Sequence, residues 1–257
     1  MPMEASSHDL LAAAPAQQAT AQGAGRGLFA GLGERAQTER TQIERTQAER
    51  GRSPTGGLLK RTVDLCLAST AIVALSPFLA LCALGVAATS GASPIYRHRR
   101  VGFGGETFDC LKFRTMTGDG ESALRAYFDA NPDARAEWEA TRKLRDDPRV
   151  TRFGRILRKT SVDELPQLFN VVRGEMSLVG PRPVVEQELA RYGARRAAYV
   201  RCRPGLTGLW QTSGRSRASY AKRVACDACY ARNWRLALDV LIIMRTLPAL
   251  FGSDDAC

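Results

Sequence analysis

Aromatic residues make up only 7% of this 257-residue chain, which leaves few platforms for stacking nucleic-acid bases. Acidic residues are also in deficit: 26 Asp and Glu stand against 37 Lys and Arg, a formal net charge of +11. A basic balance favours an anionic partner, whether nucleic acid, an acidic membrane surface or a phosphorylated substrate. The shortage of aromatics argues against the first. Matched cysteines are missing as well. The seven cysteines are an odd number, and Cys66 and Cys82 fall in an apolar segment, so no disulfide framework is expected. Reduced thiols point to the cytosolic side of a membrane. Cys226 and Cys229 form a C-x-x-C with no second pair and no neighbouring histidine. A zinc site is therefore not expected, and the two read as small residues on one helix face. The N-terminus lacks the basic region, apolar run and small-residue cleavage site of a signal peptide.

Only one long apolar run is present, from Val63 to Ala88, with Asp64 as its single charge. It exceeds the roughly 20 residues that a membrane span requires. Ser76-Pro77 stands at its centre, where proline removes a backbone donor and bends a helix. Basic residues flank both ends: Lys60 and Arg61 before, Arg97, Arg99 and Arg100 after. The positive-inside rule then favours both ends on the cytoplasmic side. A helix-break-helix that dips into one leaflet and returns fits both features. A kinked single span and a buried core helix are the alternatives.

Residues 1–57 form an expected disordered polar tail, poor in large apolar side chains. It contains a five-residue repeat, AQTER-TQIER-TQAER, whose period builds no continuous apolar stripe. The membrane element is expected over 58–90, a catalytic domain over 91–252, and a short tail over 253–257. Within the domain, Ile95 to Val101 and Thr107 to Thr115 read as a β-hairpin joined through Gly102, Gly104 and Gly105. Glu121 to Arg145 has a polar helical composition ended by Asp146-Asp147-Pro148. Asn233 can cap a last helix through Trp234, Leu238, Leu241, Ile242 and Leu247, with Arg235 and Asp239 as an i,i+4 pair. That helix suits a membrane interface and a packed core equally well. The expected fold is α+β and mainly helical, monotopic, with a re-entrant helix, a small hairpin and interfacial amphipathic helices.

The chemistry concentrates between Lys159 and Pro183. Ser161-Val162-Asp163-Glu164 fits a capping box, with Ser161 as N-cap and Glu164 three positions on. The same carboxylates suit phosphate chemistry. Asp163 can attack phosphorus, and Glu164 can ligate magnesium or move a proton. In Gly180-Pro181-Arg182-Pro183 two prolines restrain one arginine, presenting a planar fork to phosphate. Lys112 and Arg114 alternate along a strand and share a face. Arg203 to Arg215 carries turn residues, a tryptophan and two arginines; it can close over a nucleotide or form a packed loop.

The segments KRTVDLCLASTAIVALSPF, RVGFGGETFDCLKFRTM, DPRVTRFGRILRKTSVDELPQLFNVVRGEMSLVGPRP and RPGLTGLWQTSGR occur in this order. Together they resemble the bacterial sugar transferase family, the monotopic polyprenyl-phosphate phosphoglycosyl transferases, over about Leu58 to Gly252. The absence of further membrane helices ahead of the catalytic region resembles the short form. The resemblance implies transfer of sugar-1-phosphate from a UDP-sugar to undecaprenyl phosphate, with UMP released, at the start of exopolysaccharide, O-antigen or capsule assembly. It implies Asp163 as nucleophile of a two-step reaction, Glu164 as its dyad partner, and Mg2+ held by Asp163 and Glu164. It also implies substrate binding by Lys112, Arg114, Pro181, Arg182 and Pro183. Arg100, Arg203 and Arg215 complete the expected basic set, and Ser76-Pro77 marks the re-entrant break. His98 departs from the glutamine common at that place. The expected location is the bacterial inner membrane, with the catalytic domain on the cytoplasmic face and membrane lipids as contacts. No nucleic-acid partner is expected, and a homo-oligomer is compatible with the sequence. A basic membrane-anchored binding protein, a diphosphate hydrolase and a scaffold are the rival classes.

Overall fold

The structure is a computed structural model that describes residues 53–131, 133–135, 138, 144, 147–213 and 219–251. The expected tail with its repeat, residues 253–257 and Arg215 lie outside the described residues. Of that tail, residues 53–57 are described: both the backbone N–H and the hydroxyl of Thr55 donate to the Arg201 carbonyl.

Helix α1 runs Gly57–Ser90, 34 residues. At 1.5 Å per residue it is about 51 Å long, against about 30 Å for a bilayer's hydrocarbon core. It ends at Gly91 in the left-handed conformation, which glycine adopts without steric cost. The backbone stays helical through Pro77, so the expected interruption is not a gap between two helices. Proline deprives the Val73 carbonyl of its usual donor; the Ser76 hydroxyl donates to that carbonyl instead, at 2.8 Å.

One face of α1 packs on the rest of the domain along both halves. Ala68, Ala71 and Ile72 meet Phe108, Leu168, Val171 and Met176. Leu79, Cys82 and Val86 meet Phe113, Phe153 and Leu157. The opposite face exposes Leu67, Val73, Phe78, Leu81 and Leu84. Both ends are tied to the same domain. Lys60 Nζ lies 2.6 Å from Asp239 Oδ2, and the Ser90 carbonyl accepts from Gly118 N–H.

Strands β1 (Ile95–Val101) and β2 (Thr107–Phe113) form the expected antiparallel hairpin, pairing Ile95 with Phe113 and Val101 with Thr107. Helix α2 (Gly120–Ala130) ends at Asn131, and helical backbone resumes at 133–135 and 138, so the expected helix from Glu121 to Arg145 is interrupted here. The reason is local: Asn131 precedes Pro132, and proline disfavours helical backbone in the residue before it.

Helix α3 is Arg152–Lys159, capped by Thr151 Oγ1 accepting from Gly154 N–H at 2.9 Å. A 3-10 turn, Val162–Glu164, leads into α4 (Gln167–Arg173). Strands β3 (Ser177–Val179) and β4 (Gly205–Thr207) pair in parallel. Between them lie α5 (Glu186–Ala190) and α6 (Arg196–Val200). Helices α7 (Tyr220–Arg232) and α8 (Leu236–Phe251) complete the fold. It is α+β and mainly helical.

Two expectations near the C-terminus are corrected. Asn233 does not start the last helix; it ends α7, its N–H and Nδ2 both donating to the Cys229 carbonyl. Asp239 does not pair with Arg235. It accepts from Lys60, Tyr230 and Trp234, because the α7–α8 corner turns its side chain inward. Trp234 packs with this core beside Ile242, while Val240, Leu241 and Met244 stay exposed on α8. Cys226 and Cys229 are free thiols on α7.

Candidate active site

A strand end, a tight turn and a proline loop build the site. On β2 the side chains alternate, so Phe108, Cys110 and Lys112 share a face; Phe108 and Cys110 are buried, and Lys112, nearer the end of the strand, reaches the turn. The strand is held from behind by Asn170, fully buried on α4. Its Oδ1 accepts from Leu111 N–H at 3.0 Å, and its Nδ2 donates to the Asp109 carbonyl at 2.8 Å.

The turn carries Asp163 and Glu164. The capping box does not form: Ser161 sits at φ 56°, in the left-handed region, and its side chain makes no cap bond. It is the one non-glycine residue with positive φ among the described residues. Such conformations cost on the order of 1–3 kcal/mol and persist where the surroundings enforce them. Glu164 is thereby free of a capping role and meets Lys112, Oε1 to Nζ at 2.6 Å.

The proline loop follows β3. The backbones of Gly180 and Gly205 touch so closely that a Cβ on either would collide with the other segment. Gly180 N–H donates to the Thr207 carbonyl and Gly205 N–H to the Pro181 carbonyl. Val101 N–H then donates to Val184, so the loop bridges the β3–β4 pair and the hairpin. Pro181 is buried and Arg182 is exposed. The Arg182 guanidinium lies 5.8 Å from the Trp210 ring centre, whose other neighbour is Arg223 at 4.6 Å.

These elements form an open pocket lined by Arg100, Lys112, Glu164, Arg182, Pro183 and Gln211, among others. Arg100 is held at its edge by the Pro183 carbonyl at 3.2 Å and by His98 Nδ1 at 3.3 Å. Burial, then the charges of Arg100 and Lys112, push the His98 pKa below its ordinary value. A neutral ring accepts from Arg100. Burial also raises the Cys110 thiol to about 11, so it stays protonated and unreactive.

The two carboxyls are electrically unlike. Burial, and then the adjacent Glu164 charge, raise Asp163 to about 6, with Lys112 and Arg158 opposing. Burial works to raise Glu164 too, but Lys112, Arg182 and Arg100 outweigh it and hold its pKa below the usual range. A site that assigns different roles to two carboxyls requires a divergence of this kind. Asp163 adjoins the pocket through Glu164, though it is not itself part of the lining.

The structure thus brings together Lys112, Glu164, Arg182, Pro183 and Arg100 beside Asp163. It takes two predicted residues elsewhere. Arg114 falls one residue past β2, donating to the Ser93 carbonyl at 2.8 Å and stacking on Tyr96. Arg203 donates to the Gly174 carbonyl at 2.8 Å and, with Arg61 on Val171 and Val172, satisfies the C-terminal end of α4. Gln167 and Gln211 also line the pocket; sequence reasoning named neither as a site residue. Gln211 lies inside the Arg203–Arg215 segment, which the sequence offered as a nucleotide-closing stretch or a packed loop.

Among the described residues no group of three or more His, Cys, Asp or Glu gathers as a metal cluster. The donor set present is two adjacent carboxyls, one already paired with lysine. That fits magnesium, which takes one or two carboxylates and completes its shell with substrate phosphates and water.

The bacterial sugar transferase family matches residues 55–253. The exopolysaccharide production protein ExoY of Sinorhizobium fredii is 54% identical over 197 residues, 77% of this chain and 87% of the relative. The undecaprenyl-phosphate galactose phosphotransferase of Salmonella typhimurium is 45% identical over 198 residues, 77% of this chain and 41% of that protein. The UDP-glucose:undecaprenyl-phosphate glucose-1-phosphate transferase of Caulobacter vibrioides is 40% identical over 209 residues, covering 77% and 72%. The chain is a transferase of the phosphoglycosyl class. It belongs to the bacterial sugar transferase family.

Proposed function

We propose that this chain moves a sugar-1-phosphate from a UDP-sugar to undecaprenyl phosphate and releases UMP, starting exopolysaccharide-type assembly. The observation that carries this reading is Asp163, a carboxyl with a raised pKa, standing next to a pocket of Arg100, Lys112 and Arg182. The names of the Salmonella and Caulobacter relatives supply the acceptor, and the latter also the donor class.

In the first step an Asp163 oxygen attacks the phosphorus that bears the sugar. The bond from that phosphorus to the bridging oxygen breaks, and UMP leaves with the electron pair. In the second step an undecaprenyl phosphate oxygen attacks the same phosphorus and Asp163 departs as carboxylate. Arg100, Lys112 and Arg182 bind the phosphates and oppose their charge. Asp163 and Glu164 would hold Mg2+, which supplies further neutralisation of the diphosphate when bound.

The acceptor is a lipid, and α1 provides the attachment. Its outward face is apolar while both its ends are tied to one domain. This supports a helix that enters one leaflet, bends at Ser76-Pro77 and returns, over a simple crossing. On this reading the catalytic domain lies on the cytoplasmic face of the inner membrane.

The test is UMP release by detergent-purified protein with Mg2+, UDP-glucose or UDP-galactose, and undecaprenyl phosphate. Sustained release that requires the lipid, and falls to background in Asp163→Asn, is expected. Equal release without lipid identifies a hydrolase instead, and undiminished activity of Asp163→Asn removes the nucleophile assignment.

A further inference from the structure

Among the described residues, one that lines the pocket carries a buried acceptor that no group satisfies. Gln211 follows β4 and lines the pocket with Lys112, Glu164 and Arg182. Its Nε2 donates to the Leu206 carbonyl at 3.3 Å, which fixes the amide: the nitrogen end is committed to the backbone. Its Oε1 is buried and has no hydrogen-bond partner. A buried acceptor without a donor is costly, and its persistence calls for an explanation.

Among the described residues Thr117 Oγ1, Trp210 Nε1 and Arg223 Nε are also buried without a partner, but none of these residues lines the pocket. Lys112 and Glu164 satisfy each other, and Arg100 is held by Pro183 and His98. The three cations of the pocket suit phosphate oxygens, which are acceptors. Phosphates therefore cannot answer Gln211 Oε1. A ligand group that can is an N–H or O–H on another part of the same molecule. Nucleoside diphosphate sugars carry both: an imide N–H on uracil, and hydroxyls on the ribose and the transferred sugar.

We propose that Gln211 is a recognition residue for the donor substrate, its Oε1 accepting a hydrogen bond from an N–H or O–H of a nucleoside diphosphate sugar whose phosphates lie among Arg100, Lys112 and Arg182. This rests on the donor class proposed above. Gln211 reads the organic part of the donor, while the cations read its charge.

Titration calorimetry on the full-length protein in detergent tests this, using UDP-glucose, UDP-galactose, UMP and inorganic pyrophosphate against wild type, Gln211→Met and Gln211→Asn. Methionine keeps the side-chain length without the acceptor, and asparagine withdraws it, which covers a failure of either variant to fold. At least about tenfold weaker binding of a UDP-sugar is expected, equivalent to about 1.4 kcal/mol, with pyrophosphate affinity unchanged. The thermal midpoint without ligand is expected to change little in Gln211→Met, since the unpaired acceptor and the Nε2 bond to Leu206 are lost together. Equal weakening of UMP places the donor group on the base or ribose; loss confined to the UDP-sugar places it on the transferred sugar. Unchanged UDP-sugar affinity overturns the proposal. So does a parallel loss of pyrophosphate binding with a lowered midpoint, which is the mark of a structural role. If the wild type binds pyrophosphate but no nucleotide, the donor assignment itself fails.

Discussion

Lys112 on β2 reaches Glu164 on the dyad turn, Nζ to Oε1 at 2.6 Å, across 52 positions of sequence. The pair does more than hold the turn. It sets the charge surroundings of the neighbouring Asp163, whose pKa is raised to about 6 by burial first and by Glu164 second, against Lys112 and Arg158. A nucleophilic carboxyl works ionised, so the rate of UMP release is expected to fall about tenfold per unit below pH 6. Lys112→Met removes an opposing charge, so the Asp163 pKa rises and the acid limb moves to higher pH. Glu164→Gln removes the like charge and moves the limb to lower pH. Opposite displacements in a pH-rate profile are the expected result. Displacement in the same direction would show that Asp163 does not set the acid limb.

Asn170 connects α4 to the strand that carries Lys112. Replacing it with leucine leaves the Leu111 N–H and the Asp109 carbonyl without their partner. Unsatisfied buried groups cost about 1–3 kcal/mol each, so Asn170→Leu is expected to lower stability by about 2–4 kcal/mol in denaturant unfolding. Activity is expected to fall with it, because Lys112 loses its fixed support. A loss under about 0.5 kcal/mol, the scale of a surface change, would contradict this account of the strand.

The Lys60–Asp239 pair joins the start of α1 to α8, with both side chains under a tenth exposed. Tyr230 and Trp234 also donate to Asp239. Breaking one partner of a buried pair typically costs about 3–5 kcal/mol, whereas removing both is much milder. Lys60→Met is therefore expected to destabilise the protein by about that amount. The double replacement Lys60→Met, Asp239→Leu is expected to recover only a part, because Tyr230 and Trp234 then lose their acceptor. Denaturant unfolding in detergent measures both, and additive losses would rule out the coupling.

Local patterns were readable in the sequence because local physics sets them. Alternation with glycines between gave the hairpin, and an apolar run with a central Ser-Pro gave α1. The proximity of Lys112 to Glu164 was not readable, since nothing local fixes a contact between a strand and a turn this far apart. Ser161 misled for a related reason: its capping pattern is intact, yet the chain enters the turn through a left-handed residue, which changes what Glu164 can reach. Asn233 is a good cap at either helix end, and which end it serves depends on where α7 stops. Arg203 and Arg114 look like their functional neighbours in sequence. They differ in where the fold takes them: Arg203 donates to the Gly174 carbonyl and Arg114 to that of Ser93, and neither lines the pocket.

Ser76-Pro77 bears on how α1 meets the membrane. The Ser76 hydroxyl supplies the donor that Pro77 removes, at the Val73 carbonyl. Changing both residues, Ser76→Ala with Pro77→Leu, restores the backbone N–H and makes the hydroxyl unnecessary. The helix gains a bond and loses the reason to bend. A straight helix of this length exceeds the hydrocarbon thickness, so the expected result is a span with its ends on opposite faces. Ser53→Cys and Ser93→Cys, labelled with an impermeant thiol reagent and resolved by mass spectrometry, report the two ends. In the parent both are expected to react only from the cytoplasmic side, and in the Ala-Leu variant they are expected to divide between the two sides. If both ends stay cytoplasmic in the variant, the ties at Lys60 and Ser90, not the Ser-Pro bend, keep the helix from crossing.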